Sequence, residues 1–212
     1  MIDCEPVRRR RPARGPGSGA VCSPGPAVPG QGGRRKEGKP KVEPDSYILD
    51  GNGRIPNSDL AMLVYHGALT TSVEQFEQDL RANDWIPEWH SSIGLYPAHH
   101  FHSDAHELIL VSRGELLGEF GGPGGLRLHL QAGDVIVIPA GVGHFGLEIS
   151  DDLRLTGAFP VGYAIHDFRL GYASEYAQVF TASRAVPVPS HDPLFGPTGP
   201  LVGLWQAGRE AR

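Results

Sequence analysis

From residue 107 onward, apolar residues arrive in short runs broken by glycine-rich turns. The runs are Leu108 to Val111, Leu116 to Phe120, Leu126 to Leu130, Val135 to Ile138 and Leu153 to Phe159. Between them stand Ser112-Arg113-Gly114, Gly121-Gly122-Pro123-Gly124-Gly125 and Ala132-Gly133-Asp134. Short β-type runs at near-regular spacing predict an all-β barrel or sandwich. Strand and helix do not alternate, which argues against a doubly wound α/β sheet. Upstream, Ser46 to Leu49 and Leu60 to Tyr65 read as extended segments around the turn signal Asp50-Gly51-Asn52-Gly53. One helix is predicted. Ser72 with Gln75 three residues on is a capping-box pattern, and Val73, Phe76 and Leu80 fall on one face with Glu74, Glu77 and Asp79 opposite. It should end near Asn83, before Ile86-Pro87. The proline-rich final stretch still carries Leu194, Phe195, Leu201, Leu204 and Trp205, so it should pack on the barrel or on a neighbouring subunit.

Composition divides the chain. Residues 1–45 hold eight Gly and eight Pro, with ten Lys/Arg against five Asp/Glu, a net of +5. The whole chain is −5, so residues 46–212 carry −10, nine Arg against nineteen acids. A segment so poor in apolar residues cannot offset its ordering entropy, and a disordered tail is expected at 1–45, followed by one domain over 46–212 with its core barrel at about 90–165. The basic runs Arg8 to Arg11 and Arg34-Arg35-Lys36 read as a solvated extension, with no apolar stretch to make a secretory signal. No segment reaches the roughly 18 apolar residues of a membrane span. Both cysteines, Cys4 and Cys22, lie in the tail, so the domain has no disulfide, thiolate metal site or cysteine nucleophile. A cytoplasmic location is the default, with no membrane partner. The acidic domain, lacking a helix-turn-helix pattern, argues against a nucleic-acid partner.

The chemistry concentrates in histidines. His99, His100, His102 and His106 lie within eight residues, and His144 follows after Gly133 and Pro139. Residues two apart on a strand share a face, so His100 and His102 point together and His99 points away. Glu107 is five residues past His102. To face the same ion it needs a turn between them, and Ser103-Asp104-Ala105 supplies one. Gly141 and Gly143 permit the reversal that would bring His144 in from a third direction. His100, His102, Glu107 and His144 then form a candidate metal site: three imidazoles and a carboxylate fill four positions of an octahedron and leave two open. His99 and His106 face outward, where they either orient the ligands from behind or serve as ordinary surface or interface residues. Tyr96 shares the face of His100, and Glu148 that of His144. These two are the weaker catalytic candidates, Glu148 as a base and Tyr96 beside the metal, with packing or a solvated rim as the alternative for each. Ile109 and Val111, on the face of Glu107, suggest an apolar pocket wall. Arg169 meets either an acidic substrate or a neighbouring carboxylate.

These residues also carry a resemblance. Gly94 to Gly114 fits the first cupin motif, G-x5-H-x-H-x3,4-E-x6-G. Gly133 to His144 fits the second, G-x5-P-x-G-x2-H-x3-N, with Glu148 where Asn is usual. The stretches at 50–57, 96–107, 133–144 and 192–205 resemble the YjlB-like cupins, and the resemblance spans roughly 46–205. It implies a small double-stranded β-helix, a jelly-roll barrel, with a metal held by the same four residues, and a homodimer. The family spans dioxygenases, isomerases, decarboxylases, lyases and non-enzymatic proteins, so it does not choose a reaction.

The expected function is a metal-dependent enzyme of oxygenase (dioxygenase-like) type acting on a small organic molecule. The alternatives are a redox-neutral isomerase, lyase or decarboxylase, and a non-catalytic small-ligand or metal-binding module. Fe(II) is the first expectation for the ion, with Mn(II), Ni(II), Zn(II) and Cu(II) as alternatives, because affinity order alone does not select among them.

Overall fold

A computed structural model describes residues 43–162 and 166–210, all within one unit of the chain. The expected disordered tail lies outside the described residues except for its last three.

Among the described residues, nine strands build two antiparallel sheets. In chain order they are β1 (Asp45–Leu49), β2 (Ser58–Tyr65), β3 (Trp85–Ser91), β4 (Glu107–Arg113), β5 (Glu115–Phe120), β6 (Leu126–Gln131), β7 (Val135–Ile138), β8 (His144–Ile149) and β9 (Arg154–Pro160). The larger sheet runs β1-β2-β7-β4-β9-β3, and the smaller runs β6-β5-β8. The strands read from the apolar runs are all present, and the all-β jelly-roll expectation holds. The barrel is wider than 90–165, however. β1, β2 and β3 all begin before residue 90 and supply half of the larger sheet.

β3 was not foreseen. Trp-Ile-Pro-Glu-Trp shows no clean alternation, and Pro87 reads as a break. The structure accommodates that proline because β3 is an edge strand, and its ladder to β9 is irregular between Pro87 and Trp89.

The apolar run of β4 is buried on both faces. Ile109 and Val111 point inward and pack with Met62, Phe120 and Ile136 between the sheets. They belong to this interior core rather than to a pocket wall. Leu108 and Leu110 point to the other face. There they meet Leu63, Val135 and Val137 of the same sheet, with Phe76, Leu80, Leu201 and Trp205 over them. The cover for that face therefore comes from helices of the same chain.

Helix α1 (Val73–Ala82) is capped as expected: Ser72 Oγ accepts from the Gln75 N–H at 3.3 Å. The reciprocal half of the box is missing, because the Gln75 side chain donates to Asp79 instead. Two further helices, α2 (Tyr176–Ala185) and α3 (Pro200–Glu210), correct the expectation of a single helix. α3 brings Trp205 and Leu201 to full burial against β2, and Trp205 Nε1 donates to the Ala61 carbonyl at 2.8 Å. The C-terminal stretch packs on its own barrel.

Candidate metal centre

One loop segment and the first residues of two strands, β4 and β8, meet in the barrel mouth. The segment carrying His100 and His102 is not a continuous strand. It is held by isolated bridges, His100 to His144 and Phe101 to Arg169. His100 N–H donates to the His144 carbonyl at 3.2 Å, and His144 N–H returns the bond at 2.9 Å, so the backbone itself joins the two motifs. The chain bends at Ser103-Asp104, as expected, and Glu107 opens β4. After β7 the chain reverses through Gly141, whose φ is +89°; its N–H donates to the His102 carbonyl at 2.7 Å. Asn57 secures this reversal from outside. Its Oδ1 accepts from Gly143 N–H at 3.2 Å, and its Nδ2 donates to the carbonyls of Asp50 and Gly121.

The side chains converge accordingly. One ligand nitrogen from each of His100, His102 and His144 lies within 4.8 Å of the others. The His100 and His144 rings are 4.1 Å apart, centroid to centroid. In each of the three rings Nδ1 donates to a backbone carbonyl: Ala98, Asp167 and Val142 respectively. A ring whose proton sits on Nδ1 carries its free lone pair on Nε2. The backbone thus fixes all three in the tautomer that ligates through Nε2. Glu107 is 3% exposed, and its Oε2 lies 3.2 Å from His144 Nε2 and 3.5 Å from His102 Nε2. Despite this proximity Oε2 has no hydrogen-bond partner. A buried carboxylate oxygen normally finds one, so the arrangement fits a cation among these atoms.

The electrostatics agree in direction. Burial, with His144 beside it, pushes the His100 imidazole down to about 3. Burial also works against a charge on His102, but Glu107 and the Asp167 carbonyl outweigh it and raise that pKa. For Glu107 burial acts upward, and the facing His102 and His144 overcome it and hold the carboxyl well below its ordinary range. The cluster favours one anion facing neutral or cationic nitrogens.

Trp89 was missed in the sequence. Its Nε1 donates to Glu107 Oε1 at 3.0 Å, fixing the carboxylate so that Oε2 faces the histidines. The indole reaches Glu107 by crossing β9 at Gly157, its partner in the ladder. A Cβ at Gly157 would lie 1.9 Å from the Trp89 ring, so only glycine permits the crossing. The unexplained glycine in Leu155-Thr156-Gly157-Ala158-Phe159 was the available signal. Replacing Trp89 with phenylalanine should leave folding intact and weaken metal affinity by about 10- to 100-fold, as loss of a ligand's outer hydrogen bond commonly does. Gly157→Ala should do the same by displacing the indole. Titration of metal-stripped protein checks both, and unchanged affinity in both variants would remove Trp89 from the site.

Residues 166–169 cross beside His102. Asp167 accepts from Ser103 N–H at 2.6 Å, Ser103 Oγ at 2.5 Å and Arg169 Nε at 2.6 Å, while its own N–H donates to Asp104. Arg169 is thus paired with Asp167, not left free for an acidic substrate. Phe168 stacks on His100 at 4.5 Å, and Tyr96 meets Phe168 edge-on at 4.6 Å. A cavity of about 250 Å³ opens over the cluster, lined among others by Trp89, Tyr96, Phe159, His166 and Phe168.

The remaining candidates fall elsewhere. Tyr96 lines the cavity. Glu148 is exposed near the far end of β8, opposite Leu117, and does not line it. His99 faces away, with Nε2 2.9 Å from Glu119 and its ring against Phe145. His106 is neither a surface nor an interface residue. It is fully buried against Trp205, accepts from Ala140 N–H at Nδ1 and donates from Nε2 to the Pro187 carbonyl.

The comparisons with known proteins agree with the motifs. The family described as Cupin matches residues 94–155. YjlB of Bacillus subtilis (strain 168), itself described as uncharacterized, is 34% identical over 164 residues, which cover 77% of this chain and 97% of that protein. The chain belongs to the YjlB-like cupins. Among solved structures, this cupin is similar to a Klebsiella pneumoniae protein with a double-stranded β-helix domain (17% identity, 64% of this chain and 89% of that one, TM-score 0.31). It is also similar to the polyketide cyclase RemF of Streptomyces resistomycificus (16% identity, 70% and 99%, TM-score 0.33).

Proposed function

We propose that this cupin is a metal-dependent enzyme of oxygenase type acting on a small organic molecule. His100, His102 and His144 would hold one divalent ion through Nε2, and Glu107 through Oε2. The observation that carries the reading is the unpartnered, buried Glu107 Oε2 facing imidazoles whose Nδ1 protons are all committed to backbone carbonyls. Three neutral nitrogens and one carboxylate suit Fe(II), and the set also suits Mn(II), Ni(II), Zn(II) and Cu(II). When bound, such an ion supplies Lewis acidity toward a substrate oxygen and, if redox-active, access to dioxygen chemistry.

The chain's own contributions are separable. Trp89 orients Glu107, the Asp167 carbonyl orients His102, and the aromatic rim of Tyr96 and Phe168 limits water around His100. Among the described residues, no helix is long and apolar enough to cross a membrane. A cytoplasmic location and a homodimer are part of the same reading, and light scattering of purified protein tests the dimer.

The test is metal analysis of protein purified without a histidine tag, followed by oxygen-electrode measurements with candidate substrates. Iron near one equivalent, with substrate-dependent oxygen uptake, is the expected result. Zinc or nickel with turnover indifferent to oxygen would replace the oxygenase reading by a redox-neutral isomerase or lyase. Negligible amounts of any metal, with melting unchanged by chelator, would overturn the metal site.

A further inference from the structure

We infer that the cavity over the histidine cluster selects a small, largely apolar molecule that carries its only charge on the metal-binding head. The inference rests on the metal reading above and specifies the substrate class of the same site.

Three observations carry it. The first is size. An apolar cavity of about 150 Å³ holds one benzene, so the 250 Å³ here accommodates roughly ten non-hydrogen atoms. The second is the wall. Trp89, Leu95, Tyr96, Phe159 and Phe168 surround the cluster, and the rings are fixed by contact with one another and with the histidines: Phe168 stacks on His100, and Phe159 stacks on His166 at 3.5 Å. The third is charge. Among the described residues lining the cavity there is no Lys or Arg, and the single carboxylate is Glu107. Most polar groups near the mouth are already committed, and His166 Nδ1 is buried without a hydrogen-bond partner. His166 Nε2 lies 3.0 Å from Glu88, Ser91 Oγ donates to the Gly94 carbonyl, and Arg169 pairs with Asp167.

A head group bound at the cluster would be compensated there by the ion. A second charge on the body of the ligand would sit mainly against aromatic carbon, where ions lose hydration without gaining a charged partner. The body should therefore be neutral and apolar, a ring or a short branched chain. Dicarboxylates, sugar phosphates and amino acids are disfavoured.

A matched series of ligands tests this on Co(II)-loaded protein. Acetohydroxamate, benzohydroxamate and succinic monohydroxamate share one metal-binding head and differ only in the body, which is a methyl group, a phenyl ring or a charged chain. Metal content is measured first, and binding is then followed by the Co(II) absorption spectrum. Benzohydroxamate is expected to bind at least about tenfold tighter than each of the other two. Phe168→Ala, at a position already 45% exposed, should weaken benzohydroxamate by about tenfold and leave acetohydroxamate within about twofold, with Co(II) content unchanged. Tyr96→Ala provides an independent second variant with the same expectation. Protein that retains no Co(II) overturns the metal reading and this inference with it. Protein that retains Co(II) yet binds the three ligands alike, or prefers the succinic one, overturns this inference alone.

Discussion

The His100→Ala/His102→Ala double variant should lose its metal while keeping its fold. Each residue contributes one of the three nitrogens that lie within 4.8 Å of one another, and removal of both leaves His144 and Glu107 as the remaining half of the set. Loss of an outer-shell partner alone costs about 10- to 100-fold in affinity, so loss of two direct ligands should cost well beyond that and bring occupancy below roughly a tenth of an equivalent. The backbone bridge from residue 100 to residue 144 uses only main-chain atoms and survives the change. Melting of the native protein should fall on treatment with chelator, whereas melting of the double variant should not respond. His99→Ala makes the control, because that ring is turned toward Glu119 and Phe145. Full metal content in the double variant, or equal loss in the control, would refute the ligand assignment.

The largest expected effect on stability lies outside the site. Asp192 is 0% exposed, and its two oxygens accept four hydrogen bonds: Oδ1 from the N–H groups of Leu194 and Phe195, Oδ2 from Leu201 N–H and from the Tyr65 hydroxyl at 2.7 Å. It therefore shapes the turn before α3, caps the first turn of that helix and ties it to β2. Burial and the adjacent carboxylate together push the Tyr65 hydroxyl far above its usual range, so it acts as a donor throughout. Asp192→Ala leaves these donors without an acceptor in the interior, at about 1–3 kcal/mol for each that stays dry. A loss of about 4 kcal/mol or more is a large part of the 5–15 kcal/mol that holds a domain together. It corresponds to a fall in Tm of roughly 8–16 °C for a chain of this size. Thermal unfolding followed by circular dichroism measures it. A shift below about 3 °C would show that water satisfies the turn and that α3 docks without the aspartate.

The site was more legible than the scaffold around it, for physical reasons. A candidate metal site is written in residue types and spacings, and the two motifs pointed to the cluster of His100, His102, Glu107 and His144 directly. Parity placed His99 correctly. It also sent His106 away from the cluster, but parity does not reveal what lies on the far side of a sheet. His106 met a helical layer rather than solvent because α3 covers that face. α3 itself carries Gly203 and Gly208, which disfavour a helix interior, and its capping aspartate stands eight residues before the first turn, so no local signature marks it. It begins at Pro200, a position that accepts proline only because the first helical N–H has no partner to lose. β3 failed for the related reason that its proline is tolerated only at a sheet edge, and sheet order is a property of the fold. Trp89 was lost with it. The indole matters because of where Gly157 lies across the ladder, a relation that sequence separation conceals.

One pair of consecutive residues joins these two stories. His106 and Glu107 adjoin in the chain but face opposite sides of the sheet, His106 against Trp205 and the Pro187 carbonyl, Glu107 toward the histidines. The peptide between them therefore works as a pivot through the barrel wall, with the cluster on one end and the C-terminal layer on the other. A change at Trp205 would have only the His106 ring and a single backbone link to cross before reaching Glu107. A shortened chain that ends before α3 would not be a minimal version of this cupin. It would be a barrel whose carboxylate has lost its backing, and selection on the histidine cluster would be felt at α3.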